Sequence, residues 1–368
     1  SIDITNRPCY YRGTGKTKGS YVRVGDADLP MTDYEIYSFE SYKAHVHDDE
    51  RPIDRADLSL LDEANINNYI LQMKLNRPFF SKLSEKQIYE LLSITRNGVP
   101  TLASVLNFGI YPQGLLPQLA ITATVIPGTE IGETTNDGVR FLDNKRIEGT
   151  LSEMLDEAIA FCNRNMRTQT IIDQNTGKRN DKTEYPINAI REAIINALIH
   201  RDYSIHTEGT TIQISFFTNR LEIHSPGSLY GRMTVNDLGK ARPDLRNPAL
   251  ATMSEFLLKT ENRYSGIPTI RREMKEHGLP EPLFENKRNE FVVTLFNKTE
   301  SPIDDIHDNT DLITFCKTPR TRHEISHYLD LNTFYLVTKK YIQPLVNQGK
   351  LKLLYPDKPK SKNQKYYS

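Results

Sequence analysis

Between Pro186 and His200 apolar residues fall at Ile187, Ile190, Ile194 and Ala197/Leu198, the spacing of a helix that opens on a proline. Asn188, Glu192, Asn196 and His200 recur every fourth residue and form a polar stripe beside the apolar one. Upstream, the pattern predicts a helix over Asp48–Gln72, with Leu58, Leu61, Ile66, Tyr69 and Ile70 as core candidates, and another over Glu85–Leu92. Pro100–Gly109 reads as a helix with the proline at its first position and the glycine as its cap. Leu119–Ile126 reads as a strand and Gly149–Asn165 as a helix, whereas Gln169–Glu184 is polar enough for a loop or hairpin. Ser1–Tyr11 reads as the end of a strand, Gly13–Gly19 as a turn, and Ser20–Gly25 as a short strand.

Downstream, strict alternation over Thr211–Phe217 and Leu221–Ser225, around Thr218-Asn219, predicts a hairpin that Pro226-Gly227 ends. A helix opens at Arg246-Asn247-Pro248 and runs to about Lys259. A second follows the loop Glu261–Pro268 and runs through Glu276, and Glu290–Asn297 is a closing strand. Beyond the polar linker Pro302–Thr310 come a helix at Thr321–Leu329, a turn at Asp330–Asn332 and a helix at Thr333–Asn347 bent by Pro344. Strands are expected at Leu351–Tyr355 and Gln364–Tyr367.

With 368 residues the chain should form two or three domains, and its 38% hydrophobic and 26% charged content is that of a globular protein. No apolar run approaches the roughly eighteen residues that span a bilayer, so no membrane partner is expected. Three scattered cysteines, Cys9, Cys162 and Cys316, suit reduced thiols in a cytoplasm and give no disulfide framework or zinc site. The formal net charge is zero, so only the distribution of charge is informative.

Chemistry concentrates on the Pro186–His200 helix. A carboxylate one turn before an amide, Glu192 before Asn196, can orient a water and hold a hydrated Mg²⁺ through the amide oxygen. Ser265-Gly266 ahead of a helix would present free N–H groups and a positive dipole end to phosphates. Two motifs mislead. Gly15-Lys16-Thr17 suggests a phosphate loop, but Tyr10 stands where that motif needs glycine. His323-Glu324-Ile-Ser-His327 has the form of a zinc-protease helix, yet no histidine follows His327 and no glutamate follows Glu324 to supply a third ligand. Such a protease is the minor alternative.

The string Glu192-Ala-Ile-Ile-Asn196-Ala-Leu-Ile-His200-Arg-Asp202-Tyr203, with Ser225-Pro-Gly227, Arg246-Asn-Pro248 and Tyr264-Ser-Gly266, resembles a bacterial family of ATPase-like, RecG-like transcriptional regulators. These are related to the gyrase/Hsp90/histidine-kinase ATPases. The resemblance implies an α+β chain. A β-hairpin remnant of a Schlafen/AlbA-type domain would occupy residues 1–43 and an α/β linking segment 44–168. An α/β-sandwich, Bergerat-type ATPase-like domain would occupy 169–299, a linker 300–310 and a winged helix 311–368. It implies ATP and Mg²⁺ as cofactors and weak Mg-dependent ATP hydrolysis. Glu192 would be the general base and Asn196 the Mg²⁺ ligand, with His200 and Asp202 beside the cofactor. Ser225 and Gly227 would lie at the adenine end, and Ser265 and Gly266 at the phosphates. The chain departs from the pattern in two places. Ser225 replaces the aspartate of the larger superfamily, and Tyr264 replaces the first glycine of Gly-Ser-Gly.

From Lys317 onward the chain carries eleven Lys and Arg against Glu324, Asp330 and Asp357, the local excess that binding a phosphate backbone requires. Double-stranded DNA is the expected partner. Lys339, Lys340, Lys358, Lys360 and Lys362 would sit on phosphates, and Asn332, Thr333 and Tyr335 at base edges. The leading expectation is a cytoplasmic DNA-binding regulator with a divergent ATP-binding module, and a homodimer is one assembly it allows. The alternative is a nucleotide-free scaffold for dimerisation or signalling, its winged helix contacting protein.

Overall fold

The computed structural model describes residues 4–24, 27–172, 179–258, 265–297, 309–329, 337–356, 361 and 364–368. The chain divides into two units, Ser1–Lys298 and Thr299–Ser368. In the first, α1 (Gly15–Gly19), the hairpin β1 (Tyr21–Val24)/β2 (Ala27–Pro30) and α2 (Asp33–Ala44) lead into α3 (Glu63–Asn76) and α4 (Glu85–Leu91). There follow β3 (Thr95–Arg96), β4 (Val99–Pro100), α5 (Leu102–Phe108), α6 (Pro112–Leu115), β5 (Ile121–Val125), β6 (Asp143–Ile147) and α7 (Leu151–Asn165). The hairpin β7 (Thr168–Ile172)/β8 (Arg179–Thr183) precedes α8 (Ile187–His200). Then come β9 (Ile212–Phe216), β10 (Arg220–Pro226), α9 (Pro248–Leu257), α10 (Gly266–Glu276), β11 (Leu283–Asn286) and β12 (Glu290–Phe296).

Six of these strands form one mixed sheet, in the order β11-β12-β10-β9-β5-β6, parallel only between β5 and β9. The fold is α+β. Strand β10 shows why the sheet has a dry face: Leu221, Ile223 and Ser225 are buried, while Glu222 and His224 alternate onto the other side half-buried. Helix α7 packs on β5 and β6, α8 packs on β10, and α8 is flanked by α7, α9 and α10. One continuous apolar core runs from Ile53 to Leu295. It crosses the boundary expected at 168/169, because β5 and β6 from the linking segment share a sheet with β9 and β10. Strand β6 closes one edge, its Asp143, Lys145 and Arg146 paired with Arg164, Glu157 and Glu148.

Several sequence expectations are corrected. The N-terminal hairpin pairs Tyr21–Val24 with Ala27–Pro30, and Gly15–Gly19 is a helical turn whose Lys16 pairs with Glu40. Helix α2, which the apolar pattern does not announce, starts at a reciprocal Thr32/Glu35 cap. The helix expected over Asp48–Gln72 is two 3₁₀ turns, Asp48–Glu50 and Leu58–Leu60, before α3, and Leu58 is exposed. Pro100 ends β4, and Thr101 caps α5 in its place.

In the second unit, α11 (Asn309–Phe315), β13 (Arg320–Thr321) and α12 (Arg322–Tyr328) precede a π-helical segment, Val337–Ile342, that continues as a helix over Gln343–Asn347. Pro344 offers no N–H to the carbonyl four residues earlier, which accounts for the looser turn there. Strands β14 (Lys352–Leu353) and β15 (Lys365–Tyr367) complete a three-stranded sheet, β13-β15-β14, over a small core that includes Leu312, Ile325, Leu345 and Tyr366. The Gln364 side chain accepts from the Tyr355 N–H at 2.9 Å and donates to its carbonyl at 2.8 Å, extending the ladder past β14.

Asp49 is fully buried and accepts from the Leu250 N–H at 2.9 Å, closing the first turn of α9. Desolvation pushes its carboxyl up from 3.8 to about 7. The folded chain therefore holds this proton more tightly than the unfolded chain. Its contribution is greatest below pH 4 and is lost as pH rises toward 7. Asp49→Asn should remove up to about 1.4 kcal/mol per pH unit from the slope of unfolding free energy over that window. Denaturant titrations at several pH values check this, and an unchanged slope contradicts it.

Candidate functional site

Helix α8 is buried on almost every side: Ala189, Ile190, Ala193, Ile194, Ile195, Ala197, Leu198 and Ile199 all pack inward. A helix this enclosed leaves its last carbonyls without water, so the fold must supply donors. Ser225 Oγ donates to the Ala197 carbonyl at 3.2 Å and Tyr203 Oη to that of Leu198 at 2.6 Å. Asn247 Nδ2 donates to both Ile199 and Arg201, each at 2.8 Å. The buried Arg201 guanidinium donates to the carbonyls of Asp202, Thr207 and Thr210. The His-Arg-Asp-Tyr and Arg-Asn-Pro strings are thus two halves of one cap.

What α8 leaves open is its polar stripe. Asn188 lies outside the cavity, 3.4 Å from Glu273 of α10. Glu192, Asn196 and His200 line a cavity of about 180 Å³, together with Ser225, Gly227, Ser265 and Gly266. The structure therefore brings together seven of the eight residues expected at a cofactor. Asp202 is the exception. It sits behind the wall, 3.5 Å from Arg246, and accepts from the Ser204 N–H at 2.8 Å and from Thr207 Oγ1 at 3.0 Å. Burial raises its pKa, but Arg246 and these donors outweigh that and hold the carboxyl below its usual range.

Gly227 has φ +101°, and a Cβ there would lie 2.5 Å from Asp202 Cβ and 2.6 Å from Arg246 Nη1, so no other residue fits. Gly266 is a second close approach. A Cβ on it would come within 2.9 Å of Asn196 Nδ2 and 3.1 Å of Glu192 Oε2. The backbone at the start of α10 thus abuts the acid–amide pair. The Ser265 side chain does not cap this helix, and the first-turn N–H groups have no acceptor within it. Asn196 Nδ2 is buried and has no hydrogen-bond partner among the described residues. His200 is exposed on the cavity wall, though protein atoms crowd its imidazole. Desolvation, then the charge of Arg246, pushes its imidazole down to about 4, so it is neutral at pH 7.

The opposite wall carries Tyr230, Met233, Asp244 and Arg246, none of which sequence reasoning singled out for the cavity. They lie in an irregular segment, where no periodicity marks the inward side. Tyr264 lies outside the described residues, as do Asn332, Thr333, Tyr335, Lys358, Lys360 and Lys362. Lys339 and Lys340 fall in the π-helical turn. Glu324 accepts from the Thr321 N–H and Oγ1 at 2.7 and 2.8 Å, which makes it a helix cap. Lys16 pairs with Glu40, away from any phosphate loop.

Comparison with known proteins agrees with part of this. Residues 209–295 match the family described as putative ATP-dependent DNA helicase recG C-terminal, which supports an ATPase-like domain there. That stretch holds Ser225, Gly227, Ser265 and Gly266 but starts after α8. Residues 310–367 match the C-terminal domain of filamentation induced by cAMP protein Fic-like. No curated protein matches the chain. Among solved structures, the DIP2311 protein from Corynebacterium diphtheriae is similar, with a TM-score of 0.51 and 19% identity. The match covers 88% of this chain and 65% of that one, and at this identity it is a likeness of fold alone. Among the described residues, no helix is long and apolar enough to cross a membrane.

A buried amide donor without a partner costs about 1–3 kcal/mol. Replacing Asn196 by leucine, of similar size, should therefore raise the melting temperature of the ligand-free protein by about 2 °C or more. A melting temperature that falls would show that the amide is satisfied in solution.

Proposed function

We propose that the first unit is a divergent Mg²⁺-dependent ATP-binding module and the second a winged helix that reads duplex DNA. Together they would make a cytoplasmic transcriptional regulator. The observation that carries the nucleotide reading is the meeting of Glu192, the unsatisfied Asn196 amide and the open start of α10 in one cavity. From Glu192 to His200 the polar stripe is about 12 Å long. It is therefore long enough to lie beside phosphates at one end and a base at the other.

The chain's own groups divide the work. The Gly266 and Ile267 N–H groups face the phosphates, and the Asn196 amide oxygen would hold magnesium. A magnesium ion bound there supplies counter-charge to the phosphates. Glu192 orients the attacking water and takes its proton. Ser225 has its proton committed to the Ala197 carbonyl, so toward a base it offers only lone pairs. That favours a base presenting an amino group, as adenine does, over one presenting a keto oxygen at the same place. A neutral His200 adds no competing charge near that end.

For the second unit, the order helix, strand, helix, helix, two strands and the three-stranded sheet support a winged helix. The lysines of its tail support phosphate contact. The three free cysteines fit a reducing compartment.

Calorimetric titration with Mg-ATP should show binding that Asn196→Ala abolishes. Glu192→Ala should keep binding while turnover falls by about 10²–10⁴. Turnover unchanged in Glu192→Ala removes the base from this scheme, and absence of heat with the intact protein favours the nucleotide-free scaffold. Alanine at both Lys339 and Lys340 should weaken duplex binding alike for unrelated sequences. It should also lower the slope of log affinity against log salt by about 2. Loss confined to one sequence would place these lysines at bases.

A further inference from the structure

One wall of the cavity is carried by Gly227–Arg246, a segment whose regular structure among the described residues is one 3₁₀ turn, Val235–Asp237. Such a segment does not position itself; Asn286, Asn289, Arg271 and Asp202 hold parts of it, and α2 holds Ser228, Tyr230 and Asp244. The Tyr34 hydroxyl accepts from the Ser228 N–H at 3.0 Å. The Tyr42 hydroxyl donates to Asp244 Oδ2 at 3.0 Å, and its ring meets Tyr230 edge-on at 5.4 Å. Tyr230 in turn lies under the Arg246 guanidinium at 5.0 Å. At Gly231, φ +65°, a Cβ would come 2.9 Å from the Tyr42 ring, so the segment is folded closely around that side chain.

Helix α2 is also tied to the N-terminal elements and to the turn before β12. Glu40 pairs with Lys16 of α1, and Glu35 binds Arg288 through both oxygens at 2.9 Å. The same guanidinium reaches the Pro30 carbonyl at the end of β2. The helix is thus joined both to the N-terminal elements and to three cavity-lining residues.

We propose that Tyr42, assisted by Tyr34, is a positioning residue for the cavity: it sets Asp244, Tyr230 and Arg246, so that ligand occupancy and the docking of α2 are coupled. The ligand half of this inference rests on the nucleotide reading, whereas the positioning half does not. By thermodynamic linkage, whatever pulls α2 away weakens ligand binding by the factor by which ligand tightens α2.

Hydrogen exchange on the full chain tests it, comparing the native protein with Tyr42→Phe and with the Tyr34→Phe/Tyr42→Phe pair. Without ligand, peptides covering 227–246 should exchange about fivefold faster in Tyr42→Phe, the worth of one hydrogen bond, and faster still in the pair. With Mg-ATP, peptides covering 33–44 of the native protein should slow, and affinity should fall about fivefold in Tyr42→Phe while the melting temperature falls by no more than about 2 °C. Exchange over 227–246 that is unchanged in the double variant overturns the positioning role. ATP that binds without altering 33–44 overturns the coupling. A loosened 227–246 segment in a protein that binds no ATP supports the positioning role and instead removes the nucleotide reading.

Discussion

A helix buried on nearly every side must have its final carbonyls satisfied by the protein, and in this fold the rest of the site follows from how that is done. Ser225 from β10, Tyr203 from the turn after α8 and Asn247 from the start of α9 each reach the same few oxygens. These donors fix the rotation of α8 about its axis. With that rotation set, the polar stripe faces the cavity and the apolar one faces the core. A shift of one residue would send Glu192 and Asn196 into hydrocarbon, at a cost that unpaired polar groups make prohibitive.

The same cap explains why distant strings of sequence belong together. Arg246 reaches back to Asp202 and to the Ser228 carbonyl, Asn247 to α8, and Gly227 must lack a side chain because Asp202 and Arg246 fill its space. The cavity lies where this framework of donors stops. There, among the described residues, Asn196 Nδ2 has no partner and Ser265 does not cap the start of α10. Other buried polar atoms lack partners too, Asn247 Oδ1 and Ser204 Oγ among them, but Asn196 Nδ2 is the one beside the Glu192–Gly266 approach that the nucleotide reading uses.

Much of this could be read from the chain, and the remainder fails for identifiable reasons. Helix α8 and strands β9, β10 and β12 carry strong periodicity, and the structure has them within a residue or two of expectation. The stripe Glu192, Asn196, His200 and the residues Ser225, Gly227, Ser265 and Gly266 do share a cavity. The resemblance puts Asp202 at a cofactor through the His200-Arg-Asp202-Tyr string. The chain turns there, however, and aims its carboxylate at Arg246. The Asp48–Gln72 segment has helix-like spacing in places but breaks into 3₁₀ turns around Pro52 and Asp57. Helix α2 carried its own signal, the Thr32-x-x-Glu35 cap, which an apolar count overlooks. The wall made by Tyr230, Asp244 and Arg246 has no pattern to find, since tertiary contacts with Tyr42, Asp202 and Ser228 decide which of its residues turn inward.

The edge strand β6 bears on how molecules of this protein tolerate one another in crowded solution. Its free backbone groups would suit a strand from a neighbour, but Asp143, Lys145 and Arg146 stand along it, each already joined to Arg164, Glu157 or Glu148. An incoming strand would bring its own side chains against this row of charges. Charges so placed disfavour strand addition at the β6 edge, and with it the growth of fibres from that side.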